Sequence, residues 1–261
     1  MDITTEIVSL KRKVKAVQEE LTTAIGFHEA WKPTAYDTNL HARMGKSFAT
    51  NTFGIVRIAL RREMLLALIR LWDKNSKAIS MEAIALTLRK PLVLDALVAE
   101  CEAQWINQPT YDCGDTDDLT PEIRVAVDKH IKTNAEQFAR EQSALLRSAA
   151  EQAICIIGNY TSGGSKHATL QHLRTLRNER LAYRQILASI PITSVTDIEV
   201  EIFYQDMLIA AHKLLLAVEN THYDLNETAK IKRRHAELFW KSPRGEMSEG
   251  HPDYQQLPKY V

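Results

Sequence analysis

The chain has 261 residues, enough for one sizeable hydrophobic core or two small ones, and its 45% apolar and 25% charged residues are ordinary for a globular protein. Lysines plus arginines equal aspartates plus glutamates, 33 against 33, which excludes a global field that draws the chain to nucleic acid or membranes; any polyanion site must be local. The start "MDITTEIVSLKRKVKAVQEE" has no basic segment followed by an apolar run, and "MLLALI" and "MLIAA" are far too short to span a bilayer, so a soluble, cytoplasmic protein is expected. Cys101, Cys113 and Cys155 are odd in number and form no C-x-x-C, which reads as reduced thiols without a zinc knuckle.

Glycine and proline are scarce, strand-like alternation is nearly absent, and apolar residues recur at three and four, so the chain reads as all-α. Ile7, Leu10, Val14, Val17, Leu21 and Ala24 follow steps of 3, 4, 3, 4, 3, a seam for a long first helix packed within its own bundle. After "KPTAYDTNLH", read as turns, a second helix runs from about Phe48 to Trp72. Ser80 can cap a short helix that ends before Pro91, and another covers "LVLDALVAECEAQW". Residues 106–119 are the longest irregular interior stretch. Thr120-Pro121 then opens a long helix through "AICIIGNY", with proline at the position where its missing N–H costs nothing.

"TSGGS" ends that helix, and Ser165 can cap the next, from about 166 to 188, before Pro191 disfavours helical geometry at Ile190. Thr196 with Glu199 fits a capping box for a helix over roughly 197–220, and a last helix spans about Asn226 to Trp240. Residues 1–241 read as a single domain and 242–261 as a loosely ordered or partner-docked tail.

The helix after "TSGGS" carries the most informative pattern. Its stripe from Leu173 passes through Arg177, Arg180 and Arg184 to Leu187, and Leu170, Leu176 and Leu181 flank it. A face that ought to enter a core is thus interrupted by guanidinium groups, whose burial without an anion costs several kcal/mol. They either snorkel or pair with acids such as Asp73 or Glu63, or they line a phosphate-binding cleft suited to arginine's planar fork. Tyr183 lies about 60° around the helix from Arg180, and His172 falls on the stripe of Tyr183 about 16 Å away along the axis. Arginine, imidazole and a ring able to stack on a base make an RNA surface, to which Arg174, His172, Arg180 and Arg184 are the candidate contributors.

"RNERLAY" resembles the signature of the HEPN superfamily, in which an arginine and a polar residue precede a histidine. "LRTLRNERLAYR", with "LRREMLLALIRLWD" upstream, is more closely similar to the AbiU-type abortive-infection branch, and the likeness covers the helix order from about residue 45 to 220. The resemblance implies an all-α HEPN-like helical bundle with extra N- and C-terminal helices, which dimerises through the motif helix to cleave RNA without metal or cofactor. It further implies a role in phage defence or as a toxin, with a cognate antitoxin or defence partner protein. Carried onto this sequence, Arg177 contacts the scissile phosphate, Asn178 orients the site, and Tyr183 occupies the histidine position. Tyrosine's pKa is about 10 against about 6.5 for imidazole, so Tyr183 points to impaired or altered catalysis.

Other signals are weaker. "TSGGSKHAT" follows a helix and lacks the full phosphate-loop spacing, so it reads as an interhelical turn. His212, His222 and His235 have no i, i+4 pairing and read as surface or helix-end residues, "KIKRRH" as a solvated face, and "GDTDD" as an acidic loop without the calcium pattern. The rival to a nuclease is a non-catalytic all-α interaction or regulatory protein whose arginine helix is a protein interface.

Overall fold

A computed structural model describes residues 2–73, 79–107, 120–178 and 196–254. Every regular element among these residues is helical: α1 (Ile3–Tyr36), α2 (Thr38–Met44), α3 (Ala49–Arg70), α4 (Met81–Leu88), α5 (Pro91–Ile106), α6 (Pro121–Gly158), α7 (His167–Leu176), α8 (Asp197–Glu219) and α9 (Leu225–Trp240). The chain is an all-α bundle.

The seam of the first helix is what the fold buries. Leu10, Val14, Val17, Leu21 and Ala24 are each no more than 1% exposed, because a 3-4 repeat lines one helical face that apolar neighbours can cover. The helix starts also follow their sequence signals. The Ser80 hydroxyl accepts the Ala83 N–H at 3.3 Å, and Pro91 and Pro121 open α5 and α6. At α8 the capping box closes both ways: Thr196 N–H donates to Glu199 Oε2 at 2.8 Å, and Glu199 N–H donates to Thr196 Oγ1 at 3.2 Å.

"KPTAYDTNLH" departs from the expectation of turns. α1 continues through Pro33 to Tyr36, and α2 starts after the single residue Asp37, whose carboxylate accepts the N–H groups of Asn39 and Leu40 at 2.9 and 3.1 Å. Proline in a helix interior costs a hydrogen bond; burial of Trp31 and Thr34 beside it holds the helical path.

The described helices gather into two compact units. The first takes Met1–Ala16, Ser80–Lys166 and Ile209–Tyr223. In it α4, α5 and α6 pack on one another, burying Ile84, Leu88, Leu97, Leu146, Ala150 and Ile157. "TSGGS" is an interhelical turn: a side chain at Gly164 would collide with the Gly158 and Asn159 carbonyls, and Gly163 has φ +85°.

The second unit takes Val17–Ile79, His167–Leu208 and Asp224–Val261. Its core includes Leu21, Ile25, Met64, Leu68, Trp72, Phe203 and Met207, with a smaller cluster of Leu40, Met44, Ala236 and Trp240. The described part of the tail lies against this unit. Gly245 N–H donates to the Arg43 carbonyl at 3.0 Å. Glu246 accepts the N–H groups of Phe48 and Ala49 at 2.5 and 3.3 Å, supplying from 197 residues away the cap that Phe48 cannot give α3.

Leu21→Ala is expected to cost about 2–5 kcal/mol, and Val8→Ala, on the exposed side of the same helix, under about 0.5 kcal/mol. Urea denaturation of the two variants measures the contrast, and equal losses would mean that the seam is not the buried face.

Candidate functional site

α7 enters the second unit by its apolar stripe: Leu170 and Leu173 are buried, and α7 packs on α3. Arg177 occupies the next position of that stripe, where its side chain is 24% exposed. Arg177 and Asn178 continue α7 in π-helical geometry, a widened turn often found at functional positions.

The two described arginines of the motif reach the C-terminal end of α3. Arg174 Nη2 donates to the Trp72 carbonyl, two residues beyond the end of α3. Arg177 Nη1 lies 3.8 Å from Asp73 Oδ2, a long ion pair, while its Nε donates to Asn178 Oδ1 at 3.1 Å. Asn178 therefore orients the guanidinium directly. Asp73 is the acid that the sequence offered as a pairing partner, and Glu63 instead lies 4.0 Å from Arg62.

His172 is exposed and near α8. Hydrogen bonds from Thr196, with a lesser contribution from His172, hold the Glu199 carboxyl below its ordinary range. Arg180, Tyr183 and Arg184 lie outside the described residues, so the structure brings together Arg174, Arg177 and Asn178 and does not address the rest of the motif.

A second cluster had no reading from sequence. His28 and Glu29 on α1 are each 1% exposed. His28 Nε2 donates to Glu201 Oε2 at 2.8 Å, and Nδ1 faces Glu29 Oε1 at 3.2 Å. Ionised carboxylates only accept hydrogen bonds, so a carboxylate at each ring nitrogen favours the imidazolium, with a proton on both nitrogens. Tyr204 stacks on it at 3.9 Å between centroids, and Arg233 Nε donates to Glu29 Oε2 at 2.8 Å. The signal was present: His28 and Trp31 continue the α1 seam by steps of 4 and 3.

Burial works against the charged ring, but the hydrogen bonds to Glu201 and Glu29 outweigh it and raise the pKa of His28. The bond from His28 chiefly brings Glu201 down to about 2. Burial also opposes ionisation of Glu29, yet hydrogen bonds from His28 and Arg233 hold it below the ordinary value. For Tyr204, burial and then the neighbouring carboxylates push the phenol pKa up, and its hydroxyl has no hydrogen-bond partner among the described residues.

The all-α bundle is consistent with a HEPN-like fold. The family model HEPN_AbiU2, described as AbiU2, matches residues 7–239. The chain belongs to the AbiU2 family of the HEPN superfamily, which suggests a function related to abortive infection. No curated protein and no solved structure matches it. Among the described residues no helix is long and apolar enough to cross a membrane.

The buried charges set a pH window. The raised pKa of His28 gives stability that is full below 6.5, its ordinary value, and is lost as pH rises through the higher folded value. The lowered carboxyls give stability present above 4.5 and lost as pH falls, towards about 2 for Glu201. The cluster is thus expected to contribute most between pH 4.5 and 6.5. Thermal unfolding from pH 4 to pH 9 should show His28→Gln flattening this profile; an unchanged profile would show that the ring is not charged.

Proposed function

We propose that this chain is a HEPN-type metal-independent endoribonuclease, or a catalytically impaired derivative of one, acting in phage defence by abortive infection or as a toxin. One observation carries the reading: Arg177 interrupts an apolar stripe, its guanidinium is oriented by Asn178, and its carboxylate contact is long at 3.8 Å. A scissile phosphate can displace such a counterion, because a bidentate arginine–phosphate pair is shorter and stronger. Arg177 then stabilises charge that develops as the neighbouring 2′-oxygen attacks phosphorus and the 5′-oxygen leaves. The 2′-hydroxyl must lose a proton and the leaving oxygen must gain one, and Tyr183, in the histidine position, is poorly matched to both tasks. Arg174, Arg180, Arg184 and His172 extend the RNA surface.

A homodimer through the motif helix belongs to the same reading. Ile55 and Ile58 of α3, the helix on which α7 packs, are 67% and 69% exposed and offer apolar surface for it. A cognate antitoxin or defence partner protein would bind the same cytoplasmic dimer.

In a second reading the chain is a non-catalytic regulator whose arginine helix meets acids of a partner protein, as Arg177 meets Asp73 within the chain. The readings part on two measurements. Cleavage of mixed tRNA and mRNA in EDTA is expected to be weak or absent as found, to appear or rise with Tyr183→His, and to vanish with Arg177→Ala. Equal cleavage by all three proteins would refute the site assignment. RNA affinity should fall with salt with a log–log slope of about 0.7–0.9 per phosphate contact; no binding at low salt would favour the regulator.

A further inference from the structure

We propose that the groove between the C-terminal turns of α1 and α9 and the helix α2 binds a nucleoside phosphate, with the base stacked on Tyr36 and the phosphate held by Lys32, Arg43 and Lys241. The groove encloses about 520 Å³, a volume of the class that takes small ligands. It belongs wholly to the second unit, and the inference does not depend on the nuclease reading.

Its charge is unevenly satisfied. Two carboxylates line it, and both are engaged: Asp37 caps α2, and Glu237 lies 3.6 Å from Arg234. The cations are less well answered. Lys241 is exposed and has no ion-pair partner among the described residues, and Lys32 is 3.7 Å from Glu201. Arg43 has no carboxylate partner among those residues; its Nη2 donates to the Trp240 carbonyl at 2.7 Å, and its buried Nε has no hydrogen-bond partner. That bond covers the last carbonyl of α9, which would otherwise oppose an incoming anion. Such a set of partly answered cations suits phosphate oxygens.

Two aromatic side chains, Tyr36 and Trp240, line the groove. Tyr36 is 59% exposed and is set edge-on to Trp31 at 5.5 Å between centroids, so its ring is accessible. Trp240 is anchored by its Nε1–H to the Ala30 carbonyl at 2.9 Å and by Phe53 at 5.8 Å. A fixed aromatic ring stacks any base with little ordering cost. Phosphate would also compete with Glu201 for Lys32, a link between the groove and the buried His28 cluster.

The test is equilibrium dialysis of the full chain against ADP, UDP, inorganic phosphate and a single-stranded oligoribonucleotide. ADP or UDP should bind more tightly than inorganic phosphate, and Tyr36→Ala and Lys241→Glu should each weaken binding about tenfold. Both positions are exposed, and circular dichroism of the variants checks their fold. Arg177→Ala should leave nucleotide binding unchanged while it tests cleavage separately. The proposal is overturned if neither diphosphate binds, if inorganic phosphate binds equally well, if only the oligoribonucleotide binds, if Arg177→Ala abolishes binding, or if the two groove variants bind as the parent does.

Discussion

A histidine with a carboxylate at each ring nitrogen has no neutral form that satisfies both neighbours, and the second unit is arranged around that constraint. In a neutral imidazole one nitrogen presents a lone pair, which an ionised carboxylate repels. Protonation removes the conflict and leaves an excess of one negative charge, which Arg233 offsets through Glu29. His28 and Glu29 are each 1% exposed and costly to desolvate as charges, so removing a partner of either leaves a buried charge less well compensated. The arrangement ties α1, α8 and α9 together by direction as well as by burial, which apolar packing alone does not do. It also explains why a charged ring is tolerated at a seam position where leucine would ordinarily stand.

The junction of α7 with α3 works by a different balance. Arg174 donates to the Trp72 carbonyl just past the end of α3 and so fastens α7 to the segment that follows that helix. Arg177 is one turn further along, and its acid is too distant for a strong hydrogen bond. The first arginine therefore has a structural use sufficient to explain it, whereas the second retains donors that the chain does not fill well. Asn178 narrows the choice further, because a side chain spent on aiming a guanidinium contributes little to packing.

Much of this was legible because helical periodicity and capping are local. The seam of α1, the Ser80 cap, Pro91 and Pro121 at helix starts and the Thr196–Glu199 box can all be read within a few residues. So could the interruption of the apolar stripe by Arg177, together with Asp73 as a partner. The rest depends on distance in sequence. Glu246 caps a helix that begins 197 residues earlier, and nothing in "RGEMSEG" says so. "KPTAYDTNLH" misled because proline and aspartate are turn residues by propensity, while burial of Trp31 and Thr34 overrides the first and Asp37 serves as a one-residue break. His28 was visible as a continuation of the seam, but its meaning required Glu201, which lies on another helix.

Zero formal net charge restricts what the protein does at long range, not at contact. Many cations of the second unit are neutralised in place: Arg61 by Asp197, Arg70 by Glu20, Arg233 by Glu29. Exposed pairs such as Arg61–Asp197 add little stability, but all three remove field that would otherwise spread over the surface. Positive charge is then left where acids are absent, distant or already engaged, as it is at Arg43 and Lys241 and more weakly at Arg177. Over a Debye length of roughly 8 Å in physiological salt, a polyanion would sense those positions and not the neutral average. Association should consequently lack electrostatic steering from afar, and selectivity must arise from how a phosphate fits each guanidinium once contact is made.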